Sequence, residues 1–193
     1  LDILHVEQLT DEKWLNLFTA EFRHHDHTGR WVFASRHRER EKQTALKTDA
    51  VLVVAILHVE GEPPRLILLR EFRVPVGNYI YALPAGLLED GEAPEETARR
   101  ELREETGFEV TRVKRITPPL YSTCGITDEA AVLVFVDAHA PPDAKPHLDG
   151  GEEIEVVLLD YAAACRLCDE PAIRIDAKAW LALYLYQMLG RFD

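Results

Sequence analysis

Seven residues between positions 86 and 107 stand at fixed offsets: Gly86, Glu92, Arg100, Glu101, Glu104, Glu105 and Gly107, with apolar Leu102 and Phe108 beside them. At roughly 7% usage per residue type, such a set recurs by accident with odds on the order of 10^-8 per start site. Its chemistry is that of oxygen ligands. Glu101, Glu104 and Glu105 are spaced i, i+3 and i+4, which on a helix puts their carboxylates on one face, turned toward solvent and a cation. Left to themselves these like charges repel, and Glu92 adds a fourth in the preceding loop. A hard divalent cation neutralises such a cluster, because magnesium and manganese favour oxygen donors. The competing reading is a solvated acidic helix, and the carboxylates taken alone leave it open.

The elements that must position these groups follow from local signals. Pro94 suits the first turn of a helix, Glu95 and Glu96 favour its positive end, and Gly107 is a natural stop. Residues 97–106 contain no Gly or Pro, and Ala98 and Leu102 fall on a face that can pack inward. Upstream, residues 16–24 and 30–37 read as a hairpin around RHHDHTGRW, with His24, His25 and His27 as turn residues rather than metal ligands. A second hairpin runs from Ala50 through a GEPP turn to Phe72, and a short strand near 79–83 leads into the acidic segment. Further strands are expected near 110–117, 130–137 and 153–159, and helices near 161–168 and 176–189. A proline- and glycine-rich loop fills 138–151, and long loops in compact domains are often functional. Strands interleaved with helices, without a repeated βαβ period, predict an α+β mixed sheet flanked by helices.

Composition narrows the class. The chain has 193 residues, 47% of them hydrophobic, and no apolar run of membrane-spanning length. Its first residues lack a basic segment followed by an apolar run, so no secretory leader is expected. A net charge of -12 disfavours a nucleic-acid surface. Binding of phosphate would then depend on local arginines and metal. Cys124, Cys165 and Cys168 cannot form a closed disulfide set, which suits reduced thiols in a cytoplasm. Cys165 and Cys168 read as structural positions on one short helix, without a second pair to complete a zinc site.

The pattern G-x5-E-x7-R-E-U-x-E-E-x-G-U, with U aliphatic or aromatic, is the Nudix box, so the chain resembles the Nudix hydrolases. LLREFRVPVGNYIYALPAG before the box and LYSTCGITDEAAVLVFVD, GGEEIEVVLLD and IRIDAKAWLALYLY after it are similar to the ADP-ribose and nucleoside-diphosphate-sugar pyrophosphatases. The resemblance implies a Nudix α/β/α sandwich with an N-terminal β-hairpin. Residues 1–40 would form a dimerisation arm and 41–193 the hydrolase domain. It implies magnesium, or manganese, held by Glu101 and Glu105 with Glu104, Glu152 and the carbonyl of Ala85. Arg100 would brace the carboxylates against the loop containing Glu92. Arg73, and less directly Arg70, would clamp phosphate, Trp31 on the hairpin would meet the base in the partner's nucleoside pocket, and Glu129 would reach metal or the terminal sugar. Glu152 or Glu153 would be a metal ligand or the base that activates water, although both also suit a solvated strand opening. The products would be a nucleoside monophosphate and a sugar phosphate, formed in a cytoplasmic homodimer.

Two departures concern the substrate. Thr123-Cys124-Gly125 stands near where ADP-ribose enzymes carry Ser-Pro-Gly, and Glu71 stands where these enzymes often have Gln. GDP-mannose, coenzyme A and dinucleoside polyphosphates are the alternative substrates of the same chemistry. A non-catalytic ADP-ribose sensor would show eroded glutamates and an attached DNA-binding domain. The intact box and acidic balance speak against it.

Overall fold

The computed structural model describes residues 1–38, 47–148, 153–190 and 192. Its chain forms two compact units, Leu1–Ala50 with Pro118–Val132, and Val51–Thr117 with Leu133–Asp193. The division expected at residues 40 and 41 lies outside the described residues, as does Glu152.

In the first unit β1 (Asp2–Gln8), β2 (Asn16–His24) and β3 (His27–Ser35) form an antiparallel sheet. The expected β2–β3 hairpin closes at His24 opposite His27, with His25 and Asp26 as the two turn residues. His25 adopts a left-handed φ of 53°, as tight hairpin turns require. The third strand, β1, was not expected. Its register shifts between Ile3 and His5, and this bulge at Leu4 breaks the two-residue alternation by which a strand is recognised. Phe18 is buried and its ring stacks on Phe33 at 5.7 Å. At the end of β3, Ala34 donates its N–H to Ile126 O at 2.8 Å and Ser35 Oγ donates to Asp128 Oδ2 at 3.0 Å. The short β9 (Leu120–Tyr121) pairs with Ala130 and Ala131 of β10 (Ala130–His139).

The larger sheet follows the order β11 (Ile154–Leu159), β5 (Arg65–Arg73), β4 (Ala50–Leu57), β10 and β8 (Glu109–Ile116). Off that path, β6 (Asn78–Ala82) pairs with β5 and β7 (Ala85–Leu87) with β4. The pairs β10–β8, β11–β5, β4–β5 and β5–β6 are antiparallel. Asp49 N–H meets Ala130 O and His58 N–H meets Ala138 O, so β4 and β10 run in the same direction and the sheet is mixed. Residues 51–57 of β4 are all buried, which requires cover on both sheet faces. Helix α1 (Pro94–Thr106) packs on β7 and β8 with Ala98 and Leu102 fully buried, and α3 (Ala177–Leu189) packs on β5 and β6 with Ala179, Leu183 and Tyr186 buried. Asp160 caps α2 (Tyr161–Cys168) through the Ala163 N–H, and Asp176 caps α3 through the Lys178 N–H.

At the sheet edge β8 carries two register shifts against β10, which leave Lys114 and Thr111 as extra residues. Lys114 turns inward, its ammonium 2.9 Å from Asp137 Oδ1 and 2.7 Å from Phe192 O. The three cysteines are free thiols. Among the described residues no helix is long and apolar enough to cross a membrane.

Candidate active site

The site is built on α1 and on the turn that precedes it. Pro94 opens the helix, and Glu96 accepts the N–H of Ala93 at 2.8 Å, completing one half of a capping box that alanine cannot reciprocate. At the other end Gly107 takes φ 76° and donates its N–H to Arg103 O at 2.8 Å. The apolar side of the helix packs inward, which leaves Arg100, Glu101, Glu104 and Glu105 toward β7 and the loop that follows it.

Arg100 gathers three carboxylates. Its Nε and Nη2 each lie 3.2 Å from an oxygen of Glu92, while Nη1 reaches Glu101 Oε1 at 2.6 Å and Glu104 Oε2 at 3.2 Å. Nη2 also donates to Leu87 O at 3.3 Å, so one planar guanidinium ties the helix to the turn. Hydrogen bonding to Glu92, then to Glu101, holds that guanidinium above its ordinary range. Reciprocally, the Arg100 contact holds the Glu92 carboxyl below the usual carboxylate range. With Arg99, Arg103, Glu109 and Val110, Arg100 and Glu104 also line a groove of about 440 Å³.

Glu105 corrects the expectation that all three helix carboxylates face solvent. It is 8% exposed, and its Oε2 accepts the N–H of Ala85 at 3.0 Å. Gly86 explains the start of the pattern: a Cβ there would overlap the Glu101 carboxylate, so glycine lets that carboxylate lie directly against β7.

Three carboxylates therefore hold one guanidinium, and a fourth, that of Glu105, is fixed to the Ala85 amide, so that hard oxygen donors gather on this part of the helix. Among the described residues no three His, Cys, Asp or Glu side chains already converge as a metal cage. Glu101 and Glu104 are turned to Arg100, and Glu105 to an amide. The donor set fits a hard divalent cation by its chemistry and by its excess of negative charge.

The remaining expected residues fall in different places. Arg73 bonds Glu71 at 2.8 Å and is half exposed. Arg70 reaches Glu155 at 3.2 Å and stacks over the Tyr79 ring at 4.5 Å. Tyr79 was not singled out from the sequence. It packs edge-on against Phe72 at 5.4 Å, its partner across β5 and β6, and hydrogen bonding to Glu153 raises its hydroxyl above the usual range. The alternation of REFR and NYIY around the VPVG turn is the signal that pairs them. Glu153 is exposed immediately before β11. In the first unit Trp31 is 55% exposed and its indole N–H donates to Gly125 O at 3.1 Å. Glu129 there accepts Arg36 Nε at 2.7 Å.

Fold and site together define a Nudix hydrolase. Residues 46–183 match the NUDIX domain, and the chain belongs to that family. It is 35% identical over 135 residues to an ADP-ribose pyrophosphatase of Bacillus subtilis, covering 70% of this chain and 71% of that protein. It is 31% identical over 185 residues to an ADP-sugar pyrophosphatase of Mus musculus, covering 90% and 82%. A solved structure titled ADP compounds hydrolase shares the fold at a TM-score of 0.67, with 22% identity over 98% of this chain and 96% of that one.

Proposed function

We propose that this chain hydrolyses the pyrophosphate bond of nucleoside diphosphate sugars, ADP-ribose foremost, to a nucleoside monophosphate and a sugar phosphate. The observation that carries the reading is the Arg100 bridge, which holds Glu92, Glu101 and Glu104 together while Glu105 is fastened to Ala85. The names of the pyrophosphatase relatives support the substrate class. Magnesium is the proposed ion, with manganese as a substitute, held by Glu101, Glu105, Glu104, the Ala85 carbonyl and Glu152. When bound, it supplies Lewis acidity and positive charge against the pyrophosphate oxygens.

The chain's own groups do the rest. Arg100 keeps the carboxylates from repelling one another apart, so their oxygens stay ordered for ligation. Arg70 and Arg73 serve as phosphate clamps after leaving Glu155 and Glu71; the exchange costs little at Arg70, whose pair with Glu155 is exposed and weak. Glu152 or Glu153 takes the proton of the attacking water. Trp31 offers a flat, half-exposed ring to the base in the nucleoside pocket of the partner subunit, and Glu129 reaches metal or the terminal sugar once it exchanges Arg36. The active form is a homodimer joined through residues 1–40, in which exposed Trp31 and Val32 supply apolar area for a second copy. Three free thiols support a cytoplasmic setting.

A panel of ADP-ribose, ADP-glucose, GDP-mannose, UDP-glucose, coenzyme A and a dinucleoside polyphosphate, assayed with magnesium and read by mass spectrometry, tests the substrate. ADP-ribose should give adenosine monophosphate and ribose phosphate fastest; preference for another member reassigns the substrate. Light scattering should find a dimer, and deletion of residues 1–40 should leave a monomer or aggregate with greatly raised KM. A monomeric full-length enzyme would refute the dimer.

A further inference from the structure

The last carbonyls of a helix have no partner within it and must be satisfied from elsewhere. In α1 the Arg103 carbonyl is taken by Gly107 N–H at 2.8 Å, the usual local solution. The Glu104 carbonyl is taken by a residue 43 positions away: His147 N–H donates to it at 2.7 Å. The same stretch of chain approaches the helix end at a second point. A Cβ on Gly107 would run into the backbone of Ala144 and Lys145, closer than a Cβ approaches any neighbouring atom. Gly107 thus meets two requirements, a left-handed φ of 76° and an open side against which another backbone rests.

The geometry points to residues 144–147 as a clamp on the C-terminal turn of the Nudix helix, with the His147 N–H and Gly107 as positioning groups for Glu104. Glu104 is held twice, its carbonyl by His147 and its carboxylate by Arg100. Arg100 passes the constraint on to Glu101 and Glu92. Loss of the clamp lets the last turn fray, as helix ends do when their carbonyls lack partners. Glu104 and Glu105 lie in that turn. The His147 side chain takes no part; only its backbone N–H does. The functional half of this inference rests on reading Glu104 as part of the hydrolytic site, and the structural half stands without it.

The test separates the two halves. His147→Ala keeps the N–H and should leave kcat within about twofold of the parent. His147→Pro removes the N–H, and the φ that the Pro146 ring fixes is one that a residue before a proline can adopt. It should lower kcat about tenfold or more with KM changed less than about threefold, as for a displaced catalytic group. Gly107→Asn tolerates the left-handed φ but adds a Cβ, so it should lose kcat likewise while staying folded. Hydrogen exchange supplies a readout independent of activity. The His147 amide should exchange about a hundredfold or more slower than an open loop amide in the parent, and that protection should vanish in Gly107→Asn. A His147 amide that exchanges freely in the parent overturns the clamp whatever the enzyme hydrolyses. With protection present, full kcat in both His147→Pro and Gly107→Asn overturns its role in positioning Glu104.

Discussion

Oε2 of Glu105 accepts the backbone N–H of Ala85 across 3.0 Å, so one carboxylate of the acidic helix is buried as a structural acceptor. Such a group has two separable duties. Glu105→Gln retains an oxygen for the Ala85 amide but loses the charge, and should lower turnover about 10^3-fold with little change in melting temperature. Glu105→Ala leaves the amide without its acceptor and should also cost about 1–3 kcal/mol of stability. Turnover at saturating magnesium, set beside a denaturation curve, reads both. Near-parental turnover in a folded Glu105→Gln protein would remove Glu105 from the chemistry.

Arg100→Lys keeps the charge and loses the fork. An ammonium cannot span Glu92, Glu101, Glu104 and the Leu87 carbonyl at once, so kcat should fall about 10- to 100-fold. The apparent affinity for magnesium, titrated in the same assay, should weaken. Unchanged kinetics would mean that the bridge only stabilises the fold.

Gly86→Ala puts a methyl where the Glu101 carboxylate lies. Glu101 must swing away, and a displacement of that size typically costs about 10^2-fold in rate. The melting point should move little, because side-chain rotation relieves the overlap. Crystallography of the variant would show Glu101 displaced; an unmoved Glu101 would contradict the prediction.

Acid sensitivity has a source away from the site. Burial pushes the Asp137 carboxyl up, but Lys114 and His58 more than offset it and leave it below its ordinary range. A carboxyl depressed in the folded state contributes stability that is fully present above its unfolded pKa, about 3.9, and lost as pH falls through the folded value. Asp137→Asn should therefore flatten the stability profile below about pH 4. Denaturant titrations across that range decide it, and an unaltered acid limb would place the sensitivity elsewhere, with Glu92 next.

What was legible in the sequence was whatever local chemistry encodes. Pro94 and Gly107 bound α1 to within a residue, and Asp160 and Asp176 stand at the starts of the two later helices because their side chains accept the first free N–H groups. Helical spacing grouped Glu101, Glu104 and Glu105 but had no means to tell which was buried, since Ala85 reaches Glu105 through tertiary packing. The partner of Arg70 was equally hidden, because Glu155 lies on β11, which becomes a neighbour of β5 only in the folded sheet. β1 was missed for a local reason, its bulge at Leu4. The docking of residues 144–147 on Gly107 depends on a long loop returning to the helix, and no short-range signal announces it.

The doubly bulged β8 bears on how this protein behaves when crowded. A flat edge strand offers a row of unpaired amides and carbonyls on which another chain can polymerise. Here two extra residues break the spacing of that row, and Lys114 points its charge back under the edge to Asp137 and Phe192. An incoming strand would meet a mismatched ladder along this border, so the sheet resists fibrous growth there and copies of the chain must associate through other faces.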